Sequence, residues 1–197
     1  MNLQVITKKD NKMKKYKYTP KTKEELQALV EDESIYLGDI DTSEITDMSY
    51  LFANSTRKDF SGIEKWNTSK VITMAHMFSL CRFFNQDISK WNVFNVAYME
   101  NMFWGCKNFN QPLGRWNVSN VESMAGMFWG CENFNQPLEK WNTSKVKNMS
   151  WMFKNTISFN QSLNDWNVSR VEDTDDMFLN CPIDNSNKPE ALQELSI

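Results

Sequence analysis

Val121-Glu122-Ser123-Met124-Ala125-Gly126-Met127-Phe128-Trp129-Gly130-Cys131 decides the reading of the chain, because its pattern returns at 25-residue steps. Val71, Val96, Val121, Val146 and Val171 head the copies. Met74, Met99, Met124 and Met149 follow, with Thr174 breaking the column, and then come Met77-Phe78, Met102-Phe103, Met127-Phe128, Met152-Phe153 and Met177-Phe178. Cys81, Cys106, Cys131 and Cys181 form a further column in which Thr156 takes the fourth place. Working outward, Trp66, Trp91, Trp116, Trp141 and Trp166 precede each Val by five residues, and each is followed by Asn. Phe84, Phe109, Phe134 and Phe159 each open a Phe-Asn-Gln triplet that runs on to Ile88, Leu113, Leu138 or Leu163. An earlier degenerate copy aligns Ile45, Met48, Leu51 and Phe52 with Val71, Met74, Met77 and Phe78.

The shared apolar residues of the quoted stretch would cover one face about 120° wide on a helix, as an amphipathic helix requires. Ser119 with Glu122 and Ser169 with Glu172 read as capping boxes, and Gly105 and Gly130 as C-terminal stops. The rest of each unit, too short and too Pro-limited for a second helix, reads as a turn and a short strand around 138–143. The expected fold is therefore α/β: a curved leucine-rich-repeat-like solenoid of about six 25-residue units, each a short strand plus a short helix. Curvature would follow from strands about 4.8 Å apart against helices about 8–10 Å apart. The repeated Asn residues, such as Asn85, Asn110, Asn135 and Asn160, read as structural ladders.

Composition supports a packing pattern rather than chemistry. The chain of 197 residues carries 12 Met, 13 Phe and 8 Trp beside one His, and the repeat columns absorb most of the Met and Phe. A net charge of −3 argues against a nucleic-acid binder working through bulk positive charge. No stretch resembles a signal peptide or approaches a membrane span, so the sequence as written reads as cytoplasmic. Residues 1–20 read as a basic disordered tail, 21–39 as an N-terminal cap opened by the capping box Thr22/Glu25, 40–181 as the repeat array, and 182–197 as a C-terminal cap with a helix around Glu190–Leu195. Lys8, Lys9, Lys12, Lys14, Lys15, Lys17, Lys21 and Lys23 concentrate at the start, leaving 14 basic against 24 acidic residues elsewhere.

The units from Trp116 through Val121, Met124, Met127-Phe128 and Phe134-Asn135-Gln136 closely resemble the BspA-like bacterial surface-protein repeat of about 26 residues, also catalogued as a mycoplasma lipoprotein domain of unknown function. The resemblance covers roughly residues 40–181. It implies a leucine-rich-repeat-like fold, a bacterial surface protein as the alternative to a cytoplasmic one, and a role in protein interaction or adhesion. The Asp usual after the family's Trp is Asn here, and the secretion signal or lipid-attachment Cys of surface members is absent.

Candidate sites follow from residues that break the columns. Trp104 and Trp129, with Trp151 and Tyr98, would project from the outer helix face, where a core gives them no reason to be, and are candidate partner-binding residues. Lys65, Lys90, Arg115 and Lys140 make a basic column that reads as a solvated edge. The cysteines read as small core positions, too far apart across helices for disulfides. Glu172, Asp173, Asp175 and Asp176 lack the loop spacing of a calcium site, and His76 lacks a nucleophile with an orienting acid. No catalytic residue, metal or cofactor is expected. The structural core comprises Trp66, Trp91, Trp116, Trp141, Trp166, Phe78, Phe103, Phe128, Phe153 and Phe178. The expected function is a monomeric, non-enzymatic interaction scaffold with a protein partner; the alternative is a carbohydrate binder stacking sugars on Trp104, Trp129 and Trp151.

Overall fold

A computed structural model describes residues 16–193. Among them there is one α-helix, α1 (Lys23–Glu31), four three-residue 3-10 turns, and six isolated parallel bridges. The bridges join Asp47, Thr73, Tyr98, Ser123, Asn148 and Asp173 in sequence, with Tyr18 paired separately to Ile40. The expected strand-plus-helix units do not form. The chain is not an α/β leucine-rich-repeat-like solenoid: residues 121–131 are a succession of turns, and 138–143 contain no strand.

Backbone hydrogen bonding explains the difference. In a helix every amide donates to the carbonyl four residues back. Here the amides alternate. Met77, Ser79 and Cys81 donate three residues back, to Met74, His76 and Phe78, while Met74, His76, Phe78 and Leu80 donate forward to Tyr98, Glu100, Met102 and Trp104 of the next unit. The same four forward bonds recur at all five junctions from Met48 to Leu179. Alternation of this kind requires residues with positive φ. Tyr50, His76, Asn101, Gly126, Trp151 and Asp176 occupy one such column, and Asn54, Leu80, Gly105, Gly130, Asn155 and Asn180 a second, four residues later. His76 and Leu80 are the third residues of turns closed by Met77 N–H and Cys81 N–H, the place where a type II turn needs φ above zero. Gly130 therefore serves as a left-handed turn residue within the segment rather than as a helix stop.

Side-chain columns pack as the apolar periodicity demands, although the element carrying them differs. Val71, Val96, Val121 and Val146 are fully buried, as are Phe78, Phe103, Phe128 and Phe153, whereas Val171 and Phe178 of the last unit are only partly covered. Successive Phe rings from Phe52 to Phe178 lie 5.5–5.8 Å apart and nearly parallel. This is strand-like spacing, not helix spacing, so the curvature argument falls, and with it the helix separation that would keep the cysteines apart. The cysteines are free, and their hydrogen bonds show how they are held. Cys106 Sγ donates to Phe78 O at 2.9 Å, Cys131 Sγ to Phe103 O at 3.0 Å, and Thr156 Oγ1 to Phe128 O at 2.7 Å. The column thus selects a small donor, which is why Thr substitutes for Cys.

The other half of each unit is fixed by polar side chains. Each core Trp is buried and donates its indole N–H to a carbonyl of the preceding unit, as Trp116 does to Ile88 O at 3.1 Å. The Asn after each Trp closes an Asx turn, Asn117 Oδ1 accepting from Ser119 N–H at 3.2 Å. Ser119 is therefore part of an Asx turn and not a helix cap. Asn85, Asn110 and Asn135 accept both the backbone N–H of the next Asn and the side-chain amide of the next Gln.

Helix α1 covers the first unit. Thr22 Oγ1 caps Glu25 N–H at 3.2 Å, Leu26 and Val30 are buried, and Gln27 Nε2 donates to Leu51 O. The buried guanidinium of Arg57 gathers the carbonyls of Val30, Asp32, Ile35 and Asp59 at the end of that cap. Residues 1–15 of the expected tail lie outside the described residues, while Lys17 and Tyr18 donate to Asp39 O. At the far end the expected helix is a single 3-10 turn, Glu190–Leu192; residues 194–197 lie outside the described residues.

Gly130 has φ +69 and only ordinary contacts around a notional Cβ. In a helix, Gly130→Ala would stabilise by about 1 kcal/mol; in this turn it should destabilise by about 1–2 kcal/mol. Urea unfolding of the two proteins reads the sign directly.

Candidate functional site: an aromatic ridge

The two positive-φ columns and the position between them form one side of the stack. Because every unit repeats the same backbone frame, side chains at equivalent positions come into register about one unit apart. Trp104 and Trp129 hold equivalent positions and stack with centroids 5.2 Å apart at 25°. Both are half-buried, not projecting from an outer helix face as the sequence suggested. Trp151 belongs to the column three residues earlier, and its ring comes within 6.3 Å of Trp129, tilted by 36°. Gly126 leaves no side chain in that column between Asn101 and Trp151. The three tryptophans thus make one continuous ridge, with Trp151 41 % exposed at its end.

Tyr98 is exposed, but no ring contact joins it to the ridge among the described residues; it stands in the bridge column between Thr73 and Ser123. Lys154, which sequence reasoning missed, completes the ridge. It occupies the Trp104/Trp129 position in the next unit, its ammonium lies 5.6 Å from the Trp129 ring centroid, and it pairs with Asp176 Oδ2 at 2.7 Å. The repeat alignment carried that signal, since Trp104, Trp129 and Lys154 share one column. Also missed was the Tyr50–His76 stack, with centroids 4.4 Å apart at 7°, further along the same side. Partial burial holds the His76 imidazole below its ordinary value, opposed by Glu100, and its Nε2 faces Asn101 Nδ2 at 3.4 Å.

The remaining candidates are dispersed. Arg115 and Lys140 border a groove of about 380 Å³ with Pro112, Pro137 and Glu139, while Lys65 Nζ donates to the Tyr36 hydroxyl at 2.9 Å. In the acidic run, Asp173 Oδ1 accepts from Asp175 N–H and Asp176 pairs with Lys154. Among the described residues no group of three or more His, Cys, Asp or Glu is placed to hold a metal ion, and no helix is long and apolar enough to cross a membrane.

The chain's comparisons fit the repeat. A family model described as "Mycoplasma protein of unknown function, DUF285" matches residues 23–128 and again 111–190. No match to the chain was found among curated proteins, and none among solved structures.

Burial dominates the thiols. From an ordinary value of 9.0, Cys81 is pushed up to about 12 and Cys181 to about 11, with Cys106 and Cys131 raised in the same direction. Well below pH 9 these groups are neutral in both folded and unfolded chains. Above it the unfolded chain loses protons that the folded chain retains, so stability falls as pH rises from about 9 toward the folded values. Cys106→Thr, which keeps the hydrogen bond in the manner of Thr156, should leave neutral-pH stability within about 1 kcal/mol. It should also reduce the alkaline slope, measured by denaturant unfolding between pH 7 and 11.

Proposed function

The chain belongs to this DUF285 family of unknown function, and we propose that it is a non-enzymatic binding scaffold whose aromatic ridge engages a protein partner. The observation that carries the reading is the contiguous Trp104–Trp129–Trp151 stack on an exposed side of a rigid repeat frame. Clustered, partly exposed Trp residues are the side chains most enriched in binding hot spots. Trp151 adds a second support. Its φ of 57° suits Gly or Asn, and a bulky residue there costs about 1–2 kcal/mol. Equivalent positions elsewhere hold Tyr50, His76, Asn101, Gly126 and Asp176, so the backbone frame alone does not call for Trp. A retained cost of this kind is characteristic of functional positions.

Protein rather than carbohydrate is favoured by how the rings are used. Sugar stacking needs a free ring face, but Trp129 has one neighbour in Trp104 and others in Trp151 and the Lys154 ammonium. What remains is an amphipathic edge with the Lys154–Asp176 ion pair beside it, suited to an irregular protein surface carrying apolar and polar groups. The surface location implied by the BspA-like resemblance is compatible with this role and belongs to the same proposal.

Trp151→Asn retains a residue that tolerates positive φ and should change stability by less than about 1 kcal/mol, whereas Trp116→Ala should cost about 3–5 kcal/mol. Immobilised wild-type protein should retain specific proteins from a lysate of the producing cells, and Trp151→Asn and Trp104→Ala should lose them. Equal retention by all three would contradict the ridge as the site. A Trp-dependent signal on a glycan array would replace the protein partner by a carbohydrate.

A further inference from the structure

The forward hydrogen bonds that join the units come to an end at the last one. Thr174, Asp176, Phe178 and Asn180 hold the positions whose amides donate to the next unit at every earlier junction, yet among the described residues their N–H groups have no acceptor. Their unit's alternate carbonyls are already used: those of Asp173, Asp175, Met177 and Leu179 accept from the preceding unit, and those of Thr174, Asp176 and Phe178 accept within the turns. The outer face therefore offers four N–H donors in a row. A backbone acceptor stands beside them in the carbonyl of Glu172, the column whose earlier members Ile72, Ala97, Glu122 and Lys147 each accept from the following unit's backbone.

This face borders a cleft of about 440 Å³ whose apolar lining is Met177, Phe178, Leu179 and Leu192, with the Lys188 ammonium 5.8 Å from the Phe178 ring centroid at one side of it. Val171, Phe178 and Cys181 are correspondingly less buried than their counterparts in the units before. The first unit, by contrast, is covered by α1. A second copy turned face to face would set four donors against four donors, which forms no backbone bonds. The charge pattern narrows the occupant further. Glu172, Asp173, Asp175 and Asp176 make the last unit acidic, and in the column of Glu172 charges alternate: Lys147 Nζ lies 2.7 Å from Glu122 Oε2.

From this we propose that the terminal face is a docking edge for an extended, lysine-bearing polypeptide segment of another chain. The segment lies parallel to 173–180, presents alternate backbone carbonyls to the four amides, and places a Lys against Glu172 and an apolar side chain over Phe178. Main-chain bonds supply the affinity and the flanking groups the selectivity, as in other strand-addition modes. The face adjoins the end of the tryptophan ridge through the Asp176–Lys154 pair, but its backbone donors do not depend on the reading of the ridge.

A synthetic peptide of residues 143–156 is a suitable probe, because within the chain its carbonyls at Asn148, Ser150, Met152 and Lys154 accept the equivalent four bonds and its Lys147 pairs with a Glu. Added to the full protein, it should bind and slow hydrogen exchange at Thr174, Asp176, Phe178 and Asn180 while leaving the Trp104–Trp129 stack unperturbed. Glu172→Lys should weaken it about two- to fivefold, as an exposed ion pair of modest strength implies, and a peptide carrying Lys147→Glu should restore that loss. Absence of binding up to about 1 mM, binding without protection of those four amides, or protection that appears on concentrating the protein alone would each overturn the proposal, the last by making a second copy the occupant.

Discussion

Alternation of amide direction along the Met-Phe segment is the constraint on which the rest of the structure depends. One N–H closes a turn three residues back and the next reaches the following unit, so that the segment's buried Met and Phe amides in the units before the last are all bonded. This satisfies the backbone without helix or sheet, as buried polar groups require. It also fixes the interval between units, and with it the parallel Phe column, the indole bonds to carbonyls, the Asn-Gln ladder and the carbonyl-directed thiols. Each of these is one contact repeated, so a single successful unit solves the packing problem for all.

The columns were legible in the sequence because burial follows the identity of the side chain whatever backbone carries it. Val121, Met124, Met127, Phe128 and Cys131 are all fully buried. The helix reading fails because turns that each reach three residues back bring side chains to one face at intervals close to those of a helix. The evidence against a helix was also present in the sequence. Gly105, Gly130, Asn54, Asn155 and Asn180 make up five of the six members of one column, and Asn101 and Gly126 stand in the other beside Tyr50, His76, Trp151 and Asp176; the Gly and Asn residues are suited to positive φ. Read individually, a glycine near the end of an apolar run resembles a cap; read as a column, it marks a left-handed turn. By contrast Thr22 and Glu25 were correctly legible as a helix start, since capping chemistry is local to four residues.

The ridge was legible only in part. Trp104, Trp129 and Trp151 stand out as column-breaking residues, but their mutual stacking depends on the close interval between units, which helices would not have allowed. Tyr98 breaks a column too, yet among the described residues no ring contact joins it to the ridge. Lys154 and the Tyr50–His76 pair become meaningful only once register places them beside their neighbours. The repeat frame thus separates two tasks: invariant columns hold the stack, and departures from them decide what each side presents.

The most direct test of this account is an NMR measurement of scalar coupling across the hydrogen bond made by the Phe103 amide. The turn-built stack predicts coupling to the carbonyl carbon of Met127, whose oxygen lies 3.0 Å from that nitrogen. Coupling to the carbonyl of Met99, four residues back, would show a helix and contradict it.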